Sequence, residues 1–221
     1  MTPRCWICSL LAALCAGCGG GAPAPAQVVE FYGDSLTFGS IEGPAGELAR
    51  LSVPPVRRAQ ELLGAGFLCV DYSLPGATAA DALAGVAGMP FGPFADHIKT
   101  TAATTLVLRY GGADAARGVA LPDFERNLSA LVGLSQAAGK TVLLVGVIAF
   151  YSNGGAMTQD LVERADEFNA AVKRVADAYG TGFVDVRTVP VTFPDDLADP
   201  VHPAQAWSDR ITAAIAQALG T

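Results

Sequence analysis

The sequence is poor in the side chains that form disulfides and bind transition metals. It has five cysteines and two histidines among 221 residues, and four of the cysteines lie within the first 18 positions. Cys69 is therefore the only cysteine beyond residue 18, which excludes a disulfide within that part of the chain. Structural zinc sites use about four nitrogen or sulfur ligands, so we expect no metal site.

Basic residues are also scarce. The chain has 14 lysines and arginines against 21 aspartates and glutamates, a net charge of −7 at neutral pH, and the basic residues form no cluster. Nucleic acids and anionic membranes are recognised through such clusters, so we expect neither as a partner of the folded domain. No glycine-rich phosphate loop follows a strand-like run, because the glycines at 17–21 adjoin the N-terminal segment. We expect no cofactor.

The N-terminal segment has an apolar run that is too short to span a bilayer. Residues 1–17 combine Arg4, about a dozen apolar residues and a small-residue exit, which are the three parts of a secretory signal. A bilayer span needs about 20 apolar residues. A buried N-terminal helix is the alternative. We expect a signal peptide at 1–17, a Gly/Pro-rich tether at 18–26 and one folded domain at 27–221.

The end of the apolar run resembles a bacterial lipobox. It reads Leu14-Cys15-Ala16-Gly17-Cys18, which would make Cys18 the lipidated residue, although Cys15 is an unusual occupant of its position. Ordinary signal cleavage is therefore the alternative. Gly19 is not the acidic residue that, by resemblance to known lipoproteins, retains such proteins at an inner membrane. We therefore expect an exported lipoprotein of the bacterial cell envelope, at the periplasmic side or the outer membrane, that contacts a membrane only through its lipid, or otherwise a secreted protein.

Apolar runs alternate with amphipathic runs along the remaining chain. The strand-like runs are almost continuously apolar, which indicates a sheet covered on both faces; they are 28–32, 67–70, 105–108, 141–145 and 183–186. The helix-like stretches lie near 55–64, 78–88, 91–99, 124–138, 158–180 and 203–215. This order predicts an α/β fold, a three-layer α/β/α sandwich with a doubly wound, five-stranded parallel sheet.

Three residues mark the ends of the later helices. Thr158 can cap the long helix that Gly180 would end, because a threonine hydroxyl accepts from first-turn amides and glycine adopts the left-handed conformation of a C-terminal cap. Pro203 suits the first turn of the last helix.

A serine follows the first predicted strand, in Gly33-Asp34-Ser35. A turn and a helix cap would explain these residues, and so would a nucleophile at the carboxyl end of a strand, where doubly wound sheets bind ligands. A serine nucleophile requires a base that a third group orients. His202 lies before the last helix with Asp199 three residues earlier, whereas His97 lies within a predicted helix and is expected to be structural or exposed.

The Gly33-Asp34-Ser35-Leu36-Thr37 stretch and the Asp199-x-x-His202 pair together resemble the SGNH, or GDSL-type, hydrolases. The resemblance runs from Gly33 to the final helix and implies the flavodoxin-like fold of that family. It also implies that Ser35 is the nucleophile, that His202 is the general base and that Asp199 orients it. The Ser35 backbone amide would form part of the oxyanion hole.

Two positions depart from the family pattern. The second block of the family supplies a glycine amide to the oxyanion hole, and Ser73 stands at that position, where a backbone amide is kept. The third block supplies an asparagine side chain, and Ala113 stands there without a donor. Loss of one oxyanion donor costs about 10²–10³ in rate. Asn153, in the stretch after the fourth predicted strand, is a candidate substitute.

These features predict an exported serine esterase that hydrolyses or transfers acyl groups. Its substrate would be a small-molecule, glycan or lipid acyl ester or a thioester. Phe38, Phe150 and Tyr151 either line its pocket or pack in the core. The alternative function is a catalytically degenerate binding lipoprotein, in which Ala113 marks the lost activity.

Overall fold

The computed structural model describes residues 27–43, 45–152 and 157–220. The predicted signal peptide, the tether, Cys18 and Asn153 lie outside the described residues. Within these ranges no helix has both the length and the apolar composition that a membrane crossing requires.

Five parallel strands form the central sheet. They are β1 (Gln27–Gly33), β4 (Phe67–Asp71), β5 (Thr105–Arg109), β6 (Thr141–Val145) and β7 (Gly182–Val184). Their order across the sheet is β4-β1-β5-β6-β7, and every neighbouring pair is parallel. The predicted doubly wound sheet is therefore confirmed.

The strand order changes direction between β1 and β5. The chain passes from β1 outward to β4 and then returns to the other side of β1, so the connections leave the sheet on opposite sides at this point. Ligands bind doubly wound sheets in the crevice beyond the carboxyl ends of such strands. Gly33 and Arg109 form the last pair of this register, so Ser35 lies just beyond it.

Within the described residues, α-helices and a small hairpin surround or connect the strands of the central sheet. The helices are α1 (Ser35–Phe38), α2 (Pro55–Leu63), α3 (Ala79–Ala84), α4 (Phe94–Thr100), α5 (Gly112–Ala116), α6 (Leu121–Ala137), α7 (Gln159–Tyr179) and α8 (Gln205–Leu219). A small antiparallel hairpin joins β2 (Ser40–Glu42) to β3 (Leu48–Arg50). Helix α2 packs on α8, whereas α6 contacts α3, α4 and α7.

Successive residues of β1 show how the two helical layers enclose the sheet. Phe31 borders a small cavity together with Pro55 and Ile215, on the side of α2 and α8. Tyr32, the next residue, meets the Phe94 ring of α4 at a centroid distance of 5.5 Å. Because neighbouring strand residues point to opposite faces, the sheet is buried on both sides, as its continuously apolar strands predict.

The predicted cap and stop residues of the long helix are confirmed. The prediction that Pro203 lies in the first turn of the last helix is wrong. Thr158 accepts from the Leu161 amide, and Gly180 adopts the left-handed conformation with φ of 62°. The last helix begins at Gln205 instead of including Pro203 in its first turn. Pro203 instead forms an isolated antiparallel bridge with Leu197, which closes the loop that carries Asp199.

The sequence analysis missed the short elements and extended one strand too far. The β2–β3 hairpin and the short helices α1 and α5 were not predicted. The fifth strand ends at Val184, and a 3₁₀ turn spans Val186–Thr188. Asp185 causes this change because its carboxylate accepts from the Arg187 amide, a local bond that competes with strand pairing.

Candidate active site

Ser35 is the first residue of α1, directly after β1. Asp34 caps this single turn by accepting from the Leu36 amide at 2.9 Å. The turn also requires Gly33, because a Cβ there would lie 2.1 Å from the Thr37 hydroxyl oxygen and 2.6 Å from the Arg109 carbonyl oxygen. Strand, glycine and cap together present Ser35 at the carboxyl edge of the sheet.

Asp34 also connects the serine turn to α5. Its second carboxylate oxygen accepts from the Ala113 amide at 2.9 Å, so one buried side chain holds the loops after β1 and β5 together. Burial raises the pKa of Asp34, against the opposing effects of the Ala113 and Leu36 amides and of the charges on Arg109 and His202.

Arg109 supports the serine turn from the opposite side. One guanidinium nitrogen donates to the Leu36 carbonyl oxygen at 3.0 Å, while the other two have no partner among the described residues. Burial lowers the pKa of Arg109 to about 10, although the charge of Asp34 opposes that shift. Sequence analysis did not identify this role, because Arg109 ends an apolar strand.

Asp199 and His202 form a side-chain pair in the loop between β7 and α8. The imidazole Nδ1 lies 2.8 and 3.0 Å from the two carboxylate oxygens. The Asp199 carboxylate also accepts from the amides of Val201 and His202. This bonding fixes the ring with Nδ1 toward the acid, so Nε2 lies on the opposite edge of the ring.

The environment of Asp199 keeps it ionised. Burial opposes ionisation, but the hydrogen bonds from the His202 side chain and from the Val201 and His202 amides outweigh it and hold the pKa of Asp199 at about 2. The Glu42 amide of the β2–β3 hairpin donates to the same carboxylate at 2.8 Å. A backbone group of an unpredicted hairpin therefore helps to hold this pair.

Ser35 and the Asp199–His202 pair meet at adjoining cavities. Ser35 borders a cavity of about 170 Å³ together with Val201, the residue before the histidine. His202 borders a second cavity of about 290 Å³, which Val201 also lines. Among the described residues Ser35 and His202 form no hydrogen bond with each other. Such bonds are often long in ligand-free sites.

The third predicted oxyanion position, Ala113, borders the Ser35 cavity without a side-chain donor. Its amide is occupied by Asp34. The next residue, Asp114, is fully buried and accepts from the Ala79 and Gly111 amides, which joins α5 to α3. Burial and the nearby Asp34 charge raise the pKa of Asp114 to about 7.

Ser73 lies apart from the cavity beside Ser35. Its hydroxyl and its amide both donate to Asp71, which also forms an ion pair with Arg50. Among the described residues Ser73 does not line that cavity. The backbone amide expected at this position of the family pattern is present, but it donates to an Asp71 carboxylate oxygen at 3.0 Å.

The remaining candidates divide between the cavity and the packing around it. Phe150 is buried and lines the Ser35 cavity. Tyr151 stacks on Phe193 at a centroid distance of 5.2 Å, and Phe38 lies 4.0 Å below the Arg50 guanidinium. Within residues 27–43, 45–152 and 157–220, no group of histidine, cysteine and carboxylate side chains is arranged to hold a metal ion.

His97 lies elsewhere, in a buried polar cluster on α4. Its Nε2 is 2.9 Å from the Tyr32 hydroxyl oxygen and 3.6 Å from the Glu30 carboxylate. Glu30 also accepts from Tyr32 and Thr101. Of the two predicted positions for His97, structural and exposed, the structural one is observed.

Known structures share this architecture. A carbohydrate acetylesterase from Sinorhizobium meliloti is 18% identical, with a TM-score of 0.71 over 87% of this chain and 98% of that one. An aryl esterase from M. smegmatis is 18% identical, with a TM-score of 0.72 over 88% and 98% of the two chains. An acetylxylan esterase from Geobacillus stearothermophilus is 22% identical, with a TM-score of 0.68 over 88% and 94%.

Comparison with curated protein sequences finds no match. The sequence profile of the GDSL-like lipase/acylhydrolase family matches residues 31–209. That range contains Ser35, both departures from the family pattern and the Asp199–His202 pair. The chain therefore belongs to the GDSL-like lipase/acylhydrolase family and is an SGNH-type serine ester hydrolase.

Proposed function

We propose that the protein is an exported esterase that works through Ser35, His202 and Asp199. The observation that carries this proposal is the Asp199–His202 pair, in which the carboxylate lies 2.8 Å from Nδ1 and leaves Nε2 as the basic atom of the ring. Ser35, at the end of β1, borders the same cavity as Val201, the residue that precedes His202. A base held in one tautomer and a serine at a strand end, each bordering a cavity that Val201 lines, support acyl transfer by these three residues.

The reaction has two balanced halves. Nε2 of His202 takes the Ser35 proton while the serine oxygen bonds to the ester carbonyl carbon. The carbon–oxygen bond to the alcohol then breaks, and His202 returns the proton to the leaving oxygen. In the second half, His202 takes a proton from water, whose oxygen bonds to the acyl carbon. The bond between that carbon and the Ser35 oxygen then breaks, the imidazole returns the proton to the serine oxygen, and the acid leaves. A second alcohol in place of water would give acyl transfer by the same steps.

The oxyanion would be held by the Ser35 amide, with fewer donors than the family pattern supplies. Ala113 has no side-chain donor, and its amide is bonded to Asp34. The Ser73 amide would have to exchange its bond to Asp71 for one to the oxyanion. We expect a working but slow enzyme, since one missing donor costs about 10²–10³ in rate.

The substrate would be a small-molecule, glycan or lipid acyl ester outside the cytoplasm. The similar folds of carbohydrate, aryl and acetylxylan esterases support this breadth without selecting one substrate. Cys18, at the lipobox-like end of the signal segment, would carry the lipid that anchors the enzyme to the cell envelope. In a bacterial host, Cys18→Ser should move the protein from the detergent phase to the aqueous phase.

Covalent labelling tests the proposed nucleophile. A fluorophosphonate probe should form an adduct on the peptide that contains Ser35, and mass spectrometry should locate it there. Ser35→Ala should abolish both the adduct and the hydrolysis of nitrophenyl acetate. An adduct on another residue, or none on a folded protein, would remove Ser35 from the proposal.

A second candidate is a binding protein that has lost catalysis, which the missing donor at Ala113 favours. Such a protein would keep the cavity for ligand recognition while Ser35 stays unreactive. The labelling experiment separates the two functions, because only the esterase should react with the probe.

A further inference from the structure

Two cavities flank the candidate site and they are lined by different catalytic groups. The smaller, of about 170 Å³, is bordered by Ser35 and Ala113. The larger, of about 290 Å³, is bordered by His202 and by Leu48 of the β2–β3 hairpin. Val201 lines both, so the cavities adjoin between the serine and the histidine.

The proposed reaction decides which half of an ester each cavity receives. The histidine must return a proton to the leaving oxygen, so the alcohol half lies on the His202 side. The acyl half stays bonded to the serine oxygen after the alcohol leaves. The cavity that Ser35 borders, and that His202 does not, is therefore the acyl site.

The walls of this acyl site are mainly apolar. The side chains that contribute are Leu36, Ala113, Ala116, Phe150, Met157 and Leu161. The acid that reaches the wall, Asp34, already accepts from two amides. Arg117 borders the cavity too, but its guanidinium is bound to the Asp81 carboxylate at 2.7 Å and to the Gly76 carbonyl oxygen. The charge of Arg117 is therefore already paired with that of Asp81, and apart from Asp34 the rest of the described lining is uncharged.

The volume of the cavity limits the length of the acyl group. A dry protein cavity of about 150 Å³ holds benzene, and a single water takes about 30 Å³. A cavity of about 170 Å³ therefore fits a benzene-sized group. The methyl group of an acetyl ester would fill only a small part of it. The small side chain of Ala113 leaves part of this space open, because the asparagine of the family pattern would project a larger side chain there.

We propose that the protein is selective for esters of apolar acyl groups with about four to six carbon atoms. This inference rests on the proposed function of Ser35 and His202, and it specifies the acid half of the substrate. Ala116 and Met157 would be specificity-determining residues, since their side chains line the acyl site without belonging to the proposed triad.

A series of nitrophenyl esters with one leaving group tests the proposal. With acetate, butyrate, hexanoate and decanoate, kcat/KM should rise about tenfold from acetate to butyrate, because each buried methylene contributes roughly fourfold. It should then fall at least tenfold from hexanoate to decanoate, when the cavity is full. A maximum at acetate, or a continuous rise to decanoate, would overturn the proposal.

Two substitutions should change the profile in opposite directions. Ala116→Leu, at an exposed position of the lining, should lower the ratio of kcat/KM for butyrate or hexanoate to kcat/KM for acetate about tenfold. Met157→Ala should move the optimum to longer chains by about two carbon atoms. Since Met157 is buried and this variant can fail to fold, the parent series and Ala116→Leu decide the matter without it. Unchanged profiles would place the acyl group elsewhere.

Ala170→Leu is the matched control. Ala170 is an exposed alanine on α7 away from the cavity lining, so its replacement should leave the chain-length profile unaltered. The labelling of Ser35 keeps the two proposals distinct. A labelled, active enzyme with a maximum at acetate would refute the acyl selectivity alone, whereas an unlabelled and inactive protein would refute the esterase.

Discussion

The two histidines of the chain have nearly the same burial and each lies beside a carboxylate, but their surroundings differ. The His202 and His97 side chains are 18% and 16% exposed, and their acids, Asp199 and Glu30, are 7% and 4% exposed. His202 turns Nδ1 toward its acid, which leaves Nε2 on the other edge of the ring. His97 uses Nε2 for the Tyr32 hydroxyl.

The neighbours of each ring extend this difference. His97 is stacked on Phe91 at 5.0 Å and meets the edge of Tyr72 at 4.9 Å, so aromatic rings cover it. His202 instead borders an open cavity. Burial and a nearby acid therefore do not identify a general base. The cavity beside His202, into which a substrate can enter, is what distinguishes the proposed base from the structural histidine.

The largest expected effect separates the two histidines by activity. His202→Ala should lower kcat/KM for nitrophenyl butyrate by about 10⁴–10⁶, because triad members act as a unit. His97→Ala should stay within about threefold of the parent, since its ring contacts only the buried cluster. Both variants should be assayed at a temperature where circular dichroism shows them folded. Equal losses would mean that the base has been assigned to the wrong histidine.

The second prediction concerns stability, for which we expect the larger loss from replacing His97 and the smaller loss from replacing His202. His97→Ala should lower the free energy of unfolding by about 2–4 kcal/mol, because it leaves a gap among aromatic rings and removes a partner of the Tyr32 hydroxyl. His202→Ala should cost on the order of 1 kcal/mol, the value of one hydrogen bond at the edge of a cavity. Urea denaturation of both variants measures this. A larger loss for His202 would contradict the structural role of His97.

The sequence predicted the site where its signals are local, and it failed where partners come from distant segments. Asp199 and His202 are three residues apart in one loop, so their contact could be inferred from spacing and family resemblance. The acid beside His97 is Glu30 on β1, far away in sequence, and its strand reads as an ordinary apolar run.

For the fold, too, prediction succeeded where the sequence signals are local and failed elsewhere. The five strands and the long helices follow from apolar periodicity and end signals, such as Thr158 and Gly180. The β2–β3 hairpin has strands of only three residues, too short for a recognisable alternation, yet its Glu42 amide reaches Asp199. Pro203 was misplaced because its bridge to Leu197 depends on the conformation of the loop between them, which the preference of proline for helix starts does not reveal.

A smaller effect tests the proposed oxyanion position at Ala113, in the cavity that Ser35 borders. Ala113→Asn adds the amide donor of the family pattern and should raise kcat/KM for nitrophenyl acetate tenfold or more, part of the roughly 3 kcal/mol that one donor supplies. It should also fill the acyl site and narrow the preference for butyrate over acetate. Ser35→Ala provides the blank. No change, or a fall in a folded variant, would mean that another donor already serves the oxyanion.

The smallest effect concerns the acid of the His202 pair and its dependence on pH. The pKa of Asp199 is held at about 2 in the folded protein, below the value of about 3.9 for an unfolded aspartate. Such a carboxylate stabilises the fold fully above about pH 4, and this contribution is lost as pH falls toward 2, because the unfolded chain takes up the proton first. Asp199→Asn should therefore cost on the order of 1–2 kcal/mol at pH 5, reduced by partial solvent screening, and progressively less toward pH 2.5.

Urea denaturation of the parent and of Asp199→Asn between pH 6 and pH 2.5 measures this change. Asp195→Asn is the matched control, because Asp195 is an exposed aspartate of the same loop and its replacement should give a difference that varies far less with pH. If the cost of Asp199→Asn stayed constant over the range, hydrogen bonds that an amide makes equally well would be holding the loop. The charge of Asp199 would then not be what distinguishes the His202 pair from the buried His97 cluster, and the distinction would rest on the cavity beside His202 alone.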